Sequence, residues 1–389
     1  MMAFRNFPIG ASVTIEELST NPHQVLANLR DQEPVSWIPV IDGWLVTNRD
    51  LCVAVMRDAE VFTVDDPRFS TSQVVGPSML SLDGSEHQRH REPFVDPFRP
   101  GAVRGPLAEW TRLRAAELAA EIAPLGRGDL RAGIAAPLSV EVMAHVLDLE
   151  GVGVTQLLGW YEAIVASVHE VTAGADVPKA GKLAFEALGA AVVSNLANSS
   201  FLALVQSGET LSTDEIVSNV AILLFGGIVT SESTTASVFQ HLLGNPGVMA
   251  EVRADRSLIV NAVEESMRLE PAAAVVDRYT TRSVDLGNVS IGSGELVRVS
   301  LTAANRDPSE FPKPHLFDLH RENVLHHLAF ARGPHACLGL HLARIEARAA
   351  IDAALDRLAG IRLDTDRIQE PEGLVFRAPA SVEAVWDTR

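Results

Sequence analysis

Apolar residues recur at helical spacing along most of the chain, in stretches separated by glycine, proline and acidic turns. The pattern predicts helices over residues 48–57, 86–98, 107–122 and 137–149, then two between residues 154 and 206. Further helices are predicted over 213–243, 261–269 and from the region of Cys337 to about Leu358. Residues 35–47 read instead as two short strands around Asp42-Gly43, both of which tolerate positive φ. Strands also fit residues 275–300, where Gly292-Ser293-Gly294 separates 289–291 from 296–300, and residues 374–377 suggest a terminal hairpin. Residues 60–84 carry no periodicity, and Asp65-Asp66-Pro67, Gly76-Pro77 and Asp83-Gly84 mark an irregular segment.

The longest predicted helix, residues 213–243, would span about 45 Å. Ser212 and Glu215 have capping-box spacing ahead of it, and Gly244 with Pro246 supplies the stop. Its middle holds Gly226-Gly227, which costs roughly 1 kcal/mol per glycine against alanine and so calls for compensation. Either another helix packs closely there, or the helix opens over a cofactor and leaves room for a small ligand. The expected fold is mainly α with small β-sheets (α+β). No linker, repeat or low-complexity tract divides the chain, so one domain over residues 1–389 is expected.

Composition narrows the function classes. The chain is 47% hydrophobic and 21% charged, enough to bury a sizeable core. Its formal net charge of −18 argues against nucleic acid and anionic membrane surfaces as partners. The first ten residues lack the basic and apolar regions of a signal or anchor, and the apolar run 220–229 is too short to span a bilayer, so a cytoplasmic protein is expected. The two cysteines, Cys52 and Cys337, are not expected to pair in that compartment.

Candidate chemistry centres on residues 328–344. Phe330, Gly333, Pro334 and His335 form a tight, aromatic-walled turn before Cys337, and Leu338, Leu342, Ile345 and Ala349 follow at helical spacing. A cysteine at a helix start can persist as a thiolate and bind a soft metal. Gly333 and Gly339 would let a flat cofactor lie close. The alternatives are a small buried thiol and a zinc site, since His315, His320, His326, His327, His335 and His341 crowd the region without regular ligand spacing. Upstream, His87 and Arg91 are four apart on a predicted helix, placed either to grip one carboxylate or to form a solvated face.

Phe330, Gly333, His335, Cys337 and Gly339 together closely resemble the haem-binding loop of the cytochrome P450 family, and other motifs follow the family order from about Asn21 to the C-terminus. The resemblance, to bacterial soluble members, implies haem b between the long central helix and the Cys337 loop, with Cys337 as proximal ligand and Phe330 near its sulfur. It implies that His87, Arg91, Arg278 and His335 bind the propionates and that Gly226, Gly227, Gly333 and Gly339 lie at the cofactor. It implies a structural cluster of Glu265, Arg268 and Arg321. The family's central helix carries an acid followed by an alcohol. Here Thr230 is the alcohol, Val229 stands in the acid's place, and Glu232 is a possible substitute.

The implied activity is monooxygenation of a small apolar organic molecule with dioxygen and electrons from a ferredoxin and its reductase. Substrate contacts are expected from residues 74–82, 154–206, 222–230, 272–276 and 375–376. Arg89, Arg99, Arg104, Arg112 and Arg114 are the expected docking cations. A peroxide-using or oxidative-coupling enzyme, or a non-catalytic haem-thiolate sensor or carrier, is the alternative.

Overall fold

A computed structural model describes residues 7–149, 151–172, 175–196, 199–208 and 210–388. Its contacts divide the chain into two units, one made of Met1–Thr63, Arg112–Ala135 and Thr230–Arg389, the other of Val64–Thr111 and Ala136–Val229.

The first unit holds all the strands among the described residues. Its largest sheet orders Val35–Ile38, Gly43–Val46, Leu296–Ser300, Val275–Thr280 and Phe62–Thr63. The expected hairpin is present: Val35 pairs with Val46, and a 3-10 turn over Pro39–Ile41 leads into Asp42 at φ 45°. Gly43–Val46 then pairs in parallel with Leu296–Ser300, which pairs antiparallel with Val275–Thr280. Asn48 caps helix Arg49–Arg57 by accepting from the N–H groups of Asp50 and Leu51. Cys52, Val55 and Met56 on that helix join Val46, Val297, Val299 and Leu328 in one apolar core.

Two buried charge clusters tie distant segments of this unit together. Glu265 accepts from Arg268 Nε at 2.7 Å and Arg321 Nε at 3.0 Å, and the Asp318 N–H donates to it at 3.0 Å. Arg268 also donates to the carbonyls of Asn305, Pro314 and Leu316. Glu270 contacts Arg306, His23 and Arg377. Burial alone would raise its pKa, yet these partners hold it at about 2. The C-terminal hairpin pairs Pro371–Glu372 with Ala378–Pro379, so residues 374–377 form its connection and not its strands.

The second unit is helical. The segment read as irregular contains helix Ser70–Val75, which has no side-chain cap and buries Thr71, Val74 and Val75; its far end, Phe62–Thr63, is a strand of the first unit. Helix Gly84–Arg91 ends earlier than expected because Pro93 and Pro97 begin 3-10 turns. Three helices, Val154–Thr172, Lys179–Asn195 and Ser200–Ser207, occupy the region where two were expected. Here Leu157, Trp160, Tyr161, Ile164, Leu188 and Phe225 line a small apolar cavity, drawing together two of the expected substrate-contact segments.

The central helix runs over Thr213–Leu243, as its capping signals predict. Ser212 Oγ accepts from the Glu215 N–H at 3.3 Å and Glu215 accepts from the Ser212 N–H at 2.8 Å. It is long and apolar enough to cross a membrane, but 72% of its most apolar window is buried inside the protein, as in a core helix.

Candidate functional site

The turn around Cys337 is built by its own backbone. The Cys337 N–H donates to Phe330 O at 2.9 Å and the Ala336 N–H to Gly333 O at 3.1 Å. Gly333 takes φ 80°, and a Cβ there would collide with Met56 O, so the position requires glycine on both counts. The following helix starts at Leu340, after Gly339, so Cys337 lies just ahead of the helix and not within it. Cys337 is half-buried and not joined to Cys52. Cys52 is fully buried, and burial pushes its thiol pKa up. The two cysteines therefore differ in kind: only Cys337 is both accessible and placed at a helix start.

Phe330 is held from behind by Arg344 and Glu264, which the sequence did not single out, together with His327, which it suggested only for zinc. The Arg344 guanidinium lies 4.6 Å from the Phe330 ring centroid, and buried Glu264 receives Arg344 Nη2 at 2.9 Å. Glu264 also contacts His327 Nε2 at 2.9 Å. His327 Nδ1 accepts from the Ala329 N–H at 3.2 Å, so its hydrogen sits on Nε2 and points at Glu264. Burial keeps His327 below its ordinary pKa, hence neutral. For Glu264 burial acts upward, but the bonds from His327 and Arg344 hold the carboxyl below its usual value.

The crowded histidines do not form a zinc site: His320 contacts Glu251, His326 contacts Glu310 and His327 contacts Glu264, and among the described residues no three His, Cys, Asp or Glu side chains converge on a metal position.

The residues fit a flat, thiolate-held group better. Residues 335–341 are half-buried although they follow the fully buried Leu328, and a Cβ at Gly339 would meet nothing within 4 Å. The central helix shows the same kind of opening. Gly226 is exposed between buried Phe225 and Ile228, and a Cβ there would also meet nothing within 4 Å. Gly227 differs: a Cβ would overlap the Met143 thioether, so the two readings of the glycine pair divide between its members. Thr230 and Val229 are half-buried beside this opening.

The other expected ligands are ordered by their elements. His87 is buried and Arg91 half-buried, four apart on helix Gly84–Arg91. Arg278 is buried in strand Val275–Thr280 and donates to Asp277 O at 2.7 Å. His335 is half-buried in the Cys337 turn. Residues 272–276 and 375–376 are brought together, with the Ala274 N–H donating to Val375 O at 2.8 Å.

Two expected groups have partners of their own. Glu232 receives Arg131 Nε at 2.6 Å, and Arg131 is anchored in turn on Pro379 O. The arginine patch is largely neutralised by local acids. Arg89 binds Glu215 at 2.6 Å and Glu86 at 2.7 Å, Arg99 binds Asp96 at 2.8 Å, and Arg114 binds Glu117 at 2.9 Å. At the Cys337 turn Arg332 is pushed below its ordinary pKa by burial and by Arg49, Arg57 and Arg344, of which Arg344 binds Glu264 and Arg49 lies 3.6 Å from Glu310.

A further acid was missed. Glu346 is 2% exposed on helix Leu340–Arg357 and accepts from Ser231 Oγ at 3.3 Å. Burial drives its pKa well above the ordinary carboxyl value, opposed only by that hydrogen bond. The signal was a lone acid on the apolar stripe formed by Leu342, Ala349, Ala350 and Ala353.

Comparison with known proteins agrees with this geometry. A Cytochrome P450 family model matches residues 194–376. The mycinamicin IV hydroxylase/epoxidase of Micromonospora griseorubida is 33% identical, covering 92% of this chain and 94% of that protein. Cytochrome P450 monooxygenase PikC of Streptomyces venezuelae is 30% identical over 90% of this chain and 86% of its own. Among solved structures, the himastatin post-tailoring hydroxylase HmtN superposes with a TM-score of 0.82 at 28% identity, covering 96% of this chain and 100% of that one.

Proposed function

The chain belongs to the cytochrome P450 family of haem b oxidoreductases, and from that premise we propose that it oxidises a small, largely apolar organic molecule, using dioxygen and electrons from a separate carrier. The whole chain would act as one haem domain in the cytoplasm. Bound through the Cys337 thiolate, haem would supply the activation of dioxygen and the oxidation of an unactivated carbon. The observation that carries the reading is the half-buried Cys337, hydrogen-bonded into a turn that leaves open space at Gly339.

The protein's own groups divide the remaining work. His87 with Arg91, and Arg278 with His335, would hold the two propionates by charge-assisted hydrogen bonds. Phe330, fixed by Arg344, would wall off the sulfur from water. The Thr230 hydroxyl can accept and donate one proton each, so it can hold or pass a proton on the distal side; Val229 can do neither. The apolar cavity residues Leu157, Ile164 and Phe225 favour an apolar substrate and give it no charge to pair with.

A ferredoxin is the proposed carrier. Its acidic surface would meet Arg57 and Arg332 near the Cys337 turn, since Arg89, Arg99 and Arg114 are occupied by local carboxylates. Val229 favours a second reading, a peroxide-using enzyme, because hydrogen peroxide brings its own electrons and protons. Titrating the purified protein with terpenes, steroids, fatty acids, aromatics and polyketides tests the proposal. A spin-state change with one class, followed by product only when reductant and dioxygen are supplied, supports monooxygenation. Product formed equally well from hydrogen peroxide alone supports the second reading, and no response to any class contradicts both.

A further inference from the structure

An amide side chain has an acceptor end and a donor end, and its partners reveal which is which. Asn219 lies in the first half of the central helix and is fully buried. Its Oδ1 accepts from the Met79 N–H at 2.8 Å, and its Nδ2 donates to Glu215 O at 2.7 Å. Both partners are backbone groups with fixed roles, so the amide can face only one way. The second N–H of Nδ2 then points at His90 Nδ1, 2.9 Å away on helix Gly84–Arg91. That nitrogen must accept, which leaves the buried His90 ring neutral, with its hydrogen on Nε2 beside Glu215 Oε1 at 3.3 Å.

The segment that Asn219 holds, residues 76–82, is a turn stapled by its own serines. The Ser78 N–H donates to Ser81 Oγ at 3.1 Å and the Ser81 N–H to Ser78 O at 3.0 Å. It passes close to the central helix, since a Cβ on Gly76 would stand 3.0 Å from Ser218 Oγ. Residues 76–82 include no charged side chain that could anchor them by an ion pair. We propose that Asn219 is a positioning residue that fixes this turn as a wall of the substrate chamber, and that His90 makes the hold dependent on pH. This rests on the monooxygenase reading above, in which the turn is a substrate contact.

Protonating His90 puts a hydrogen on Nδ1, facing the N–H of Asn219. Turning the amide over would give that hydrogen an acceptor, but it would set Nδ2 against the Met79 N–H and Oδ1 against Glu215 O, losing two bonds for one. The latched form therefore takes up the proton less readily than a form in which Met79 has let go, and falling pH shifts the balance toward release. Burial and the Arg89 charge also keep His90 below its ordinary pKa, opposed by Glu215 and Glu86. These three are the charged groups acting on the ring, and none of them titrates near neutral pH. Arg89 holds both carboxyls below their usual range, Glu215 at about 2.

The test compares the haem-loaded full chain with Asn219→Leu and with His90→Gln, whose side chain can still accept from Asn219 but does not titrate. Amide hydrogen exchange of residues 76–82, corrected for the intrinsic pH dependence of exchange, is followed from about pH 7.5 to about pH 5.5, with helix Ile259–Leu269 as the reference. Over the same range, haem absorption reads the binding of N-methyltriazole and of the bulkier N-benzyltriazole, both of which stay neutral. In the wild type, acid should lower protection of residues 76–82 several-fold without affecting the reference helix, and should weaken N-benzyltriazole several-fold with N-methyltriazole unchanged. His90→Gln should flatten both profiles near the neutral wild-type level, and Asn219→Leu should lose the protection at either pH. A flat wild-type exchange profile, a pH response that His90→Gln retains, or release of the turn without any change in N-benzyltriazole binding overturns the proposal. Should Asn219→Leu fail to load haem, His90→Gln decides by the same criteria. A wild type lacking the thiolate-ligated spectrum would instead overturn the monooxygenase reading, while the exchange profile still judges the hold on Met79.

Discussion

Replacing Glu265 with glutamine would remove the one negative charge that two buried guanidinium groups share. Glu265 and Arg268 are both fully buried and Arg321 nearly so. In the wild type Glu265 meets Arg268 at 2.7 and 2.8 Å and Arg321 at 3.0 and 3.1 Å. Glutamine keeps the size but turns one acceptor oxygen into an NH2 donor aimed at other donors. Removing one partner of a buried pair leaves an uncompensated charge and costs about 3–5 kcal/mol. Here two cations are stranded, so the upper half of that range is expected. Against a total stability of roughly 5–15 kcal/mol, such a loss removes a large share.

Urea unfolding of the loaded protein, followed by circular dichroism and tryptophan fluorescence, measures the loss as a fall in midpoint. Haem retention should fall with it, since Arg268 also pins residues 305–316 through three carbonyls. The fraction that stays loaded should keep an unchanged carbonyl spectrum, because none of the three side chains is assigned chemistry. A loss below about 1 kcal/mol, the value typical of an exposed pair, would refute the reasoning.

The glycine pair should separate under mutation: Gly227→Ala pushes on buried Met143 and should cost about 1–3 kcal/mol, whereas Gly226→Ala should leave stability equal or slightly higher by urea unfolding yet lower haem content. His241 should make stability fall between about pH 6.5 and 4. Burial lowers its folded pKa to about 4, so the unfolded chain takes up its proton first as pH drops, a difference worth up to roughly 3 kcal/mol. His241→Gln should flatten that part of the stability profile. Arg332→Glu should slow electron transfer from ferredoxin several-fold at low salt and less at high salt, measured by stopped-flow reduction; an unchanged rate would remove this docking surface.

The central helix and the Cys337 turn were legible because local chemistry dictates them: a capping box and a Gly-Pro stop in one case, a run of glycine, proline and aromatic residues in the other. The Glu265 cluster was legible only through resemblance, since the pairing of Glu265 with Arg321 joins residues 56 apart. The partners of the arginine patch were hidden for the same physical reason. Arg89 looks like a free cation until folding brings Glu215, 126 residues away, within a hydrogen bond. Helix Ser70–Val75 escaped notice because it lacks a side-chain cap and is too short to show a period. Glu346 hid in plain view: a single acid in a helix usually faces water, and only packing against Ser231 reveals that this one does not.

The central claim is that Cys337, and not Cys52, binds haem iron as a thiolate, and the ferrous carbonyl spectrum tests it most directly. The wild type and Cys52→Ala should both give the thiolate-ligated signature, because Cys52 is buried with its thiol protonated, its Sγ at 3.3 Å from Val46 O. Cys337→His should bind haem and lose that signature. A wild type without it, or a Cys337→His protein that retains it, would contradict the account.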